Sequence, residues 1–278
     1  MEYENPQPTE GINYTQEHPF KEFAQLLVGL AAIAVLSVYI LSQAAGFLVR
    51  YIPFEYEAEM VAELEFFDNE SNDKAVKTRA RLQALADKLA ENMDLDSAME
   101  ITVHYSQSDT VNAFATLGGH LMFFEGLIEE LDSEQELAAV MAHEIAHIQH
   151  RHPIVALGKG VTLAALVGVI GGASGSAAGE LLIGSSANLS LLQFSKSQEL
   201  EADVTAAKAL NKTYGNIQGA KELFTRFAEM EHDHLDSAAG LEFFRSHPYS
   251  QNRWDQLQQL AEEHKWLVSG ELTDWKQE

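Results

Sequence analysis

Two histidines and one glutamate form the pattern in this sequence with the clearest chemical potential, His143, Glu144 and His147 in the order HEIAH. Apolar residues recur at helical spacing around it, so we expect an α-helix with Ser133 as its N-cap and Glu136 completing a capping box. On a helix the two histidines stand one turn apart on the same side. Two imidazoles so placed can bind one Zn²⁺ through nitrogen, and Glu144 can act as general base toward a water at the metal.

A catalytic zinc site usually keeps three protein ligands, so the chain must supply a third. The sequence contains no cysteine, which restricts the choice to histidine and carboxylate. A second helix is predicted from Ser195 to Gly215, and it carries Glu199 and Asp203 on one face. Alone, this acidic pair is typical of a solvated helix. With HEIAH upstream, we expect Glu199 to complete a His₂Glu site for one zinc ion per chain, and Asp203 to accept a hydrogen bond from the far nitrogen of a ligand histidine.

The residues before HEIAH predict an α+β order. A helical pattern covers residues 75–92. Stretches rich in β-branched and aromatic residues predict three strands, at residues 99–105, 111–116 and 120–124. Gly118 and Gly119 predict a turn between the second and third strands. The fold class is therefore expected to be α+β and mostly helical, with a small β-sheet beside the site.

The N-terminal part predicts a membrane anchor. Residues 1–23 are polar and contain three prolines, which is typical of a flexible tail. Residues 24–49 carry no charge and exceed the ~20 apolar residues that a helix needs to cross a bilayer. A cleaved signal peptide fits poorly because the preceding tail is long and acidic. We therefore expect one transmembrane helix that contacts lipid, and its orientation stays open because Lys21 and Arg50 balance the positive-inside count.

The rest of the chain is predicted to comprise a linker at 50–74, the catalytic domain at 75–268 and a C-terminal tail at 269–278. The many acids at 55–75 also fit a first solvated helix. A second apolar stretch, residues 160–195, carries Glu180 as its one charge and is rich in Gly, Ala and Ser. Membrane crossings here would have to come in pairs to keep both parts of the site on one side, and two spans do not fit in this length. We expect a flexible apolar hairpin near the site, at the membrane surface or over the cleft.

Four motifs together resemble peptidase family M48. They are Asn112-Ala113-Phe114-Ala115 with Gly118-Gly119, HEIAH followed by Arg151-His152, ELEAD at 199–203, and His247-Pro248 with Arg253. The resemblance covers about residues 75–260. It implies a zincin-like (gluzincin) metalloprotease domain with polypeptide substrates and Glu199 as the third ligand. It also implies that residues 112–115 lie along the cleft, where an extended peptide could add as a strand.

The resemblance suggests roles for the last motif as well. In some relatives the histidine of this motif can approach the zinc and block it, so His247 is expected to be a regulatory fourth ligand. The alternative is an ordinary core or surface histidine. Arg253 is expected to help stabilise the oxyanion. His150 and His152, which follow the HEIAH helix, read as structural residues.

The net charge of −24, from 18 basic and 42 acidic residues, argues against a nucleic-acid-binding surface. Three functions stay open: a membrane-anchored zinc endopeptidase acting on unfolded or damaged envelope proteins, a non-proteolytic zinc-binding chaperone-like or interaction protein at the membrane, and a membrane scaffold in which HEIAH is incidental. We favour the first, as a single-pass inner-membrane protein with a periplasmic domain by analogy with relatives. A cytoplasmic domain also fits the sequence, which leaves the substrate, cleavage preference and oligomeric state open.

Overall fold

In the part of the chain that the structure describes, helices pack around one small sheet, which confirms the predicted mostly helical α+β class. The computed structural model describes residues 19–62, 72–171, 194–233, 243, 246–248 and 250–276. Most of the predicted N-terminal tail and the greater part of the predicted apolar hairpin therefore lie outside the described residues. The chain divides into two units, residues 1–41 and 42–278.

Helix α1 (Pro19–Leu48) carries the uncharged stretch predicted to cross the membrane, and a short 3₁₀ turn (Val49–Tyr51) follows it. Within the described residues, this is the one helix found to be long and apolar enough to span a bilayer. Its apolar side chains face outward, with Leu26, Ile33 and Ile40 between 55% and 70% exposed. The core helix of a soluble protein would bury such side chains, so this exposure argues for a membrane anchor.

The sheet has three strands in the order β1-β3-β2, which leaves β2 at an edge. Strand β1 (Thr102–Ser106) runs parallel to β3 (His120–Phe124), and β2 (Ala113–Ala115) runs antiparallel to β3. The third strand has the predicted bounds. The first begins three residues later than predicted, and the second is shorter at both ends.

The turn predicted between the second and third strands is a 3₁₀ turn (Leu117–Gly119). Gly118 and Gly119 have φ values of 69° and 83°, in the left-handed region that favours glycine. A Cβ on Gly119 would lie 2.0 Å from the carbonyl oxygen of Glu100, so the close backbone approach also requires glycine. This turn fixes the C-terminal end of the edge strand.

Helix α5 (Glu134–Gln149) carries HEIAH. It packs against helices that come before and after it in the chain and against β2. Ser133 and Glu136 form the predicted capping box, which satisfies backbone groups at its N-terminus. Apolar side chains on all sides of the helix are buried, among them Leu137, Met141 and Ile145. The metal-ligand pattern therefore lies on the central helix of the domain.

Helix α7 (Lys196–Tyr214) is the main partner of α5. It begins with a second capping box, between Ser195 and Gln198. As predicted, it ends at Gly215, which adopts the left-handed conformation. Four other described helices pack on the same core: α3 (Asp73–Ala90), α4 (Glu125–Glu130), α8 (Gln218–Asp233) and α9 (Gln251–His264).

Part of the predicted linker is a helix, α2 (Phe54–Ala62), which packs against the 3₁₀ turn after β2. Its Glu57 is buried and pairs with Arg151, which follows the HEIAH helix, at 2.6 Å. The other oxygen of Glu57 accepts from the Gly118 N–H at 3.4 Å. Burial raises the pKa of Glu57 although Arg151 opposes this shift. Helix α2, which follows α1, thus contacts both the end of the HEIAH helix and the turn after β2.

Helix α6 (His152–Gly171) starts directly after α5, with Pro153 in its first turn, where a missing N–H has no cost. Residues 160–171, the first part of the predicted hairpin, belong to this helix.

Near the C-terminal end of the sequence, Trp275 is buried and its carbonyl accepts from Arg81 at 2.9 Å. The described part of the predicted C-terminal tail therefore packs on the domain.

Candidate active site

Helix α5 holds His143 and His147 side by side, as its one-turn spacing predicts. Their Nε2 atoms are 3.0 Å apart, and both side chains are buried. Helix α7 contributes Glu199, whose two carboxylate oxygens each lie 3.5 Å from one of these nitrogens. The three predicted metal ligands are therefore together in the structure.

His247 joins this group from the segment before α9. Its Nδ1 lies 3.1 Å from Glu199 Oε1 and 3.2 Å from His143 Nε2, and its side chain is buried. One ligand atom from each of His143, His147, Glu199 and His247 lies within 4.8 Å of the other three. The structure thus brings the predicted regulatory histidine to the position that a fourth ligand would take.

The spacing of these atoms fits a metal ion with tetrahedral coordination. Ligands at the usual zinc distances of roughly 2.0–2.1 Å lie about 3.3 Å from one another in a tetrahedron. Five contacts among the four side chains, which use both oxygens of Glu199, measure 3.0 to 3.5 Å. Two imidazoles and one carboxylate are also a ligand set of catalytic zinc sites, in which a fourth position stays open.

Hydrogen bonds behind the two HEIAH histidines orient their rings. His143 Nδ1 lies 3.0 Å from Asp203 Oδ1, the acceptor predicted for it. His147 Nδ1 lies 2.9 Å from His152 Nδ1. With protons at both Nδ1 atoms, the two Nε2 atoms present lone pairs to each other across 3.0 Å. Such an arrangement requires a cation or a proton between them.

The pKa shifts reflect the same requirement. Burial opposes a charge on His143, but hydrogen bonds to Asp203 and Glu199 outweigh it and raise the pKa of His143 to about 10. Burial also opposes charge on Glu199, yet His247 and His143 hold the pKa of Glu199 well below its usual range. Burial lowers the pKa of His147. Since metal ligands must be deprotonated, metal binding would release the proton that His143 otherwise carries.

Arg253 lies behind the ligands and clamps two carboxylates. Its Nε and Nη2 donate to the two oxygens of Asp203 at 2.6 and 2.7 Å, and Nη1 lies 3.1 Å from Glu199 Oε2. Nη1 also donates to the Pro248 carbonyl at 2.9 Å. These contacts indicate that Arg253 supports Asp203 and Glu199, while its expected part in oxyanion stabilisation stays a prediction.

Glu144 lies between the metal-ligand group and the edge strand. Its Oε2 accepts from the backbone N–H of Ala115 at 2.8 Å, and its Oε1 lies 3.4 Å from His247 Nε2. Glu144 Oε1 and His247 Nε2 make no hydrogen bond with any of the described residues. Burial raises the pKa of Glu144. The predicted cleft residues Asn112, Ala113, Phe114 and Ala115 are all buried, and the last three form β2.

Three contributors to the site were not predicted. His152, expected to be structural, contacts the candidate ligand His147, and its Nε2 lies 3.3 Å from Glu201 Oε2. The ring of Phe194 stacks on His147 at a centroid distance of 4.0 Å. A sequence signal for Glu201 exists, because it is the middle acid of ELEAD, but nothing local indicates the position of Phe194.

A cavity of about 560 Å³ opens beside Glu199, and Phe194, Pro248 and Arg253 form part of its wall. This volume is within the range of small-molecule pockets. It borders the metal-ligand group directly, so it could hold a side chain of a bound peptide.

Residues 76–261 match the family model described as Peptidase family M48. The chain is 31% identical over 138 residues to the beta-barrel assembly-enhancing protease of Yersinia pestis, an alignment that covers 44% of this chain and 27% of the relative. It is 34% identical over 115 residues to the Escherichia coli protein of the same name, covering 38% and 24%. It is 29% identical over 172 residues to the mitochondrial metalloendopeptidase OMA1 of Schizosaccharomyces pombe, covering 60% and 48%.

The chain thus spans between about a quarter and about half of the length of these curated relatives. The family model covers well over half of the chain, including all the metal-ligand candidates. The match agrees with the resemblance carried by the four sequence motifs. The chain belongs to peptidase family M48.

Proposed function

We propose that the protein is a membrane-anchored zinc endopeptidase that hydrolyses peptide bonds in unfolded or damaged envelope proteins. One observation carries this proposal: the buried Glu144 touches the edge strand through Oε2 and faces the metal-ligand group through Oε1. A general base must reach both the attacking water and the bound substrate, and this position meets both needs.

Zinc is the metal that the ligand set favours. His143, His147 and Glu199 offer two imidazoles and one carboxylate with spacing suited to tetrahedral coordination. When bound, zinc supplies a Lewis acid that activates water near neutral pH. Asp203 orients His143, and Arg253 holds Asp203 in place, so that the lone pair of His143 Nε2 points at the metal position.

Glu144 performs the proton transfers in the proposed reaction. Its carboxylate takes a proton from the attacking water while the water oxygen bonds to the substrate carbonyl carbon. It then gives that proton to the amine as the C–N bond breaks. The hydrogen bond from Ala115 fixes one carboxylate oxygen, so the other is held toward the metal position throughout.

The edge strand β2 can bind the substrate backbone. Phe124 N–H donates to the Asn112 carbonyl and Thr116 N–H donates to the His120 carbonyl, so alternate residues of this segment pair with β3. Ala113 therefore directs its N–H and carbonyl, and Ala115 its carbonyl, to the opposite side, where an extended peptide can add as a further strand. The Ala115 N–H on that side already donates to Glu144. Because backbone groups supply this binding, it suits unfolded segments of many sequences.

We infer that the described arrangement is latent. His247 lies where a water and a scissile carbonyl would have to reach the metal. Four residues before it, the Phe243 N–H donates to the Val111 carbonyl at 3.3 Å, next to β2. Phe243 thus contacts the chain next to the substrate strand and His247 contacts the metal-ligand group, so both must move before a peptide can bind.

The same contact supports the second candidate function, a non-proteolytic zinc-binding protein at the membrane. With His247 in place the site has four protein ligands, and closed four-ligand zinc sites are usually structural. The retained Glu144, buried and fixed by Ala115, has no purpose in such a site, which favours the enzyme.

For location, we propose the inner membrane with the catalytic domain in the periplasm. Helix α1 supports a single-pass anchor. Two relatives are named as beta-barrel assembly-enhancing proteases, which supports envelope substrates. Protease added to spheroplasts would degrade a periplasmic domain and spare a cytoplasmic one.

The test is cleavage of an unfolded protein by the full chain in detergent, at equal and measured zinc content for wild type and Glu144→Gln. The glutamine can still accept from Ala115 but cannot shuttle a proton. We expect new N-termini inside the substrate with wild type and none with the variant. Equal cleavage by both would remove Glu144 from the reaction, and zinc binding without cleavage by wild type or His247→Ala would favour the binding function.

A further inference from the structure

His152 lies directly behind the ligand His147. The two Nδ1 atoms are 2.9 Å apart, and both imidazoles are completely buried. Arg151 between the helices has φ 59°, a left-handed conformation that is rare for arginine, and the chain reverses there so that the first residue of α6 reaches back to α5. The contact therefore depends on a specific turn of the backbone.

The direction of this hydrogen bond follows from the metal site. His147 can bind a metal through Nε2 when its proton is on Nδ1. That proton must then be donated to His152 Nδ1, which accepts it only if the proton of His152 is on Nε2. His152 Nε2 indeed points to a carboxylate oxygen, Glu201 Oε2, at 3.3 Å. One assignment of the protons, on Nδ1 of His147 and on Nε2 of His152, therefore satisfies both contacts.

Glu201 is held in turn by a second histidine. Its other oxygen, Oε1, lies 3.4 Å from His150 Nδ1, and His150 Nε2 lies 2.8 Å from the Thr205 hydroxyl. Glu201 and Thr205 are one turn apart on α7, the helix that carries Glu199. The end of α5 is thereby fixed to α7 by side-chain contacts.

We propose that His152 is a positioning residue for the metal ligand His147, and that Glu201 sets the tautomer of His152. This inference rests on the proposed zinc site. The three acids of ELEAD then serve the metal in three ways: Glu199 as ligand, Asp203 behind His143, and Glu201 through His152 behind His147. Each HEIAH histidine has its own support, Asp203 directly for His143 and His152 for His147, and in both cases the carboxylate comes from α7.

A packing role for a buried His152 makes a different prediction from a positioning role. Replacement by leucine removes the acceptor and keeps an apolar core, whereas asparagine keeps an acceptor oxygen near the position of Nδ1. If only packing matters, leucine should be the better replacement. If the hydrogen bond to His147 matters, asparagine should restore metal binding.

The experiment uses the full chain in detergent, stripped of metal, and measures the zinc dissociation constant by chelator competition together with the visible spectrum of the Co²⁺ form. We expect His152→Leu to weaken zinc binding about ten- to a hundredfold and to change the Co²⁺ bands. His152→Asn should stay within about threefold of wild type, and Glu201→Gln should fall between the two. Melting of the metal-free chains checks that each variant is folded.

Wild-type zinc affinity and Co²⁺ spectrum in a folded His152→Leu chain would overturn the positioning role. So would equal losses in the leucine and asparagine variants. These readouts do not involve peptide hydrolysis, so a chain that binds zinc but cleaves nothing leaves this inference intact while the proposed enzyme fails. A wild-type chain that binds neither metal overturns both.

Discussion

The backbone N–H of Ala115 donates to Glu144 Oε2 at 2.8 Å, so the edge strand and the carboxylate beside the metal ligands are directly connected. A substrate that adds to this strand would be aligned by the same backbone that fixes the base. Positioning of this kind is among the largest contributions to enzymatic rates. The relationship also makes the base sensitive to the turn at Gly118, where β2 ends.

Replacing His247 by alanine should activate the enzyme. The substitution removes the imidazole that lies 3.2 Å from His143 Nε2 and so opens the fourth metal position. If nine-tenths of the molecules are latent, the rate of peptide hydrolysis at low substrate should rise about tenfold. His264→Ala, at an exposed position at the end of α9, serves as the control and should have no effect. Unchanged hydrolysis and zinc affinity in the His247 variant would contradict the latent arrangement.

Replacing Arg253 by lysine should weaken zinc binding. An ammonium group cannot form the two parallel hydrogen bonds that Arg253 makes to Asp203. We expect the zinc affinity to fall about ten- to a hundredfold, since Asp203 then orients His143 less well. The matched control is Arg226→Lys. Arg226 also pairs with two carboxylates, those of Asp132 and Glu136, but neither belongs to the metal-ligand group. Similar zinc affinities for the two variants would argue against the clamp.

Breaking the buried pair between Glu57 and Arg151 should destabilise the domain. Glu57→Ala leaves the Arg151 guanidinium partly buried without its partner, which costs about 3–5 kcal/mol of unfolding free energy in comparable pairs. The double variant Glu57→Leu with Arg151→Met should recover most of this loss. Urea unfolding of the full chain measures the effect, and Glu55→Ala on the exposed side of α2 is the control. A loss below about 1 kcal/mol would show that α2 is not held by this pair.

His104 should lower the free energy of unfolding at acidic pH. Burial, with His120 at 2.9 Å as a second cause, lowers the pKa of His104 to about 4. An unfolded chain has a histidine pKa of about 6.5, so between these values it binds more protons than the folded chain. Stability should therefore decrease as the pH falls from about 6.5 to about 4. The unfolding free energy of the metal-free chain should depend less on pH in His104→Leu than in wild type, and parallel curves would contradict this prediction.

Local signals explain most of what the sequence predicted. The capping box of α5, the end of α7 at Gly215 and the spacing of His143 and His147 depend on residues within a few positions of one another. Glu199 follows because the metal chemistry demands a third ligand and the helix pattern places it on the inner face. These features need no knowledge of distant contacts.

The features that were not predicted depend on contacts between distant parts of the chain. The stretch that forms α2 was expected to be a linker or a solvated helix, because its acidic sequence gives no sign that Glu57 is buried against Arg151, 94 positions away. The role of His152 depends on the left-handed Arg151, a conformation that arginine rarely adopts. The stacking of Phe194 on His147 likewise arises only when α7 packs against α5.

The most direct test of the account is a zinc titration of the metal-free full chain, with bound metal and hydrolysis of an unfolded protein measured in the same samples. We predict that hydrolysis rises in proportion to bound zinc and stops at one zinc per chain. Glu199→Gln, which replaces a carboxylate ligand by an amide of the same shape, should bind zinc weakly and cleave nothing. Hydrolysis by the metal-free chain, or wild-type zinc binding and cleavage in Glu199→Gln, would contradict the central claim that these residues form a zinc peptidase site.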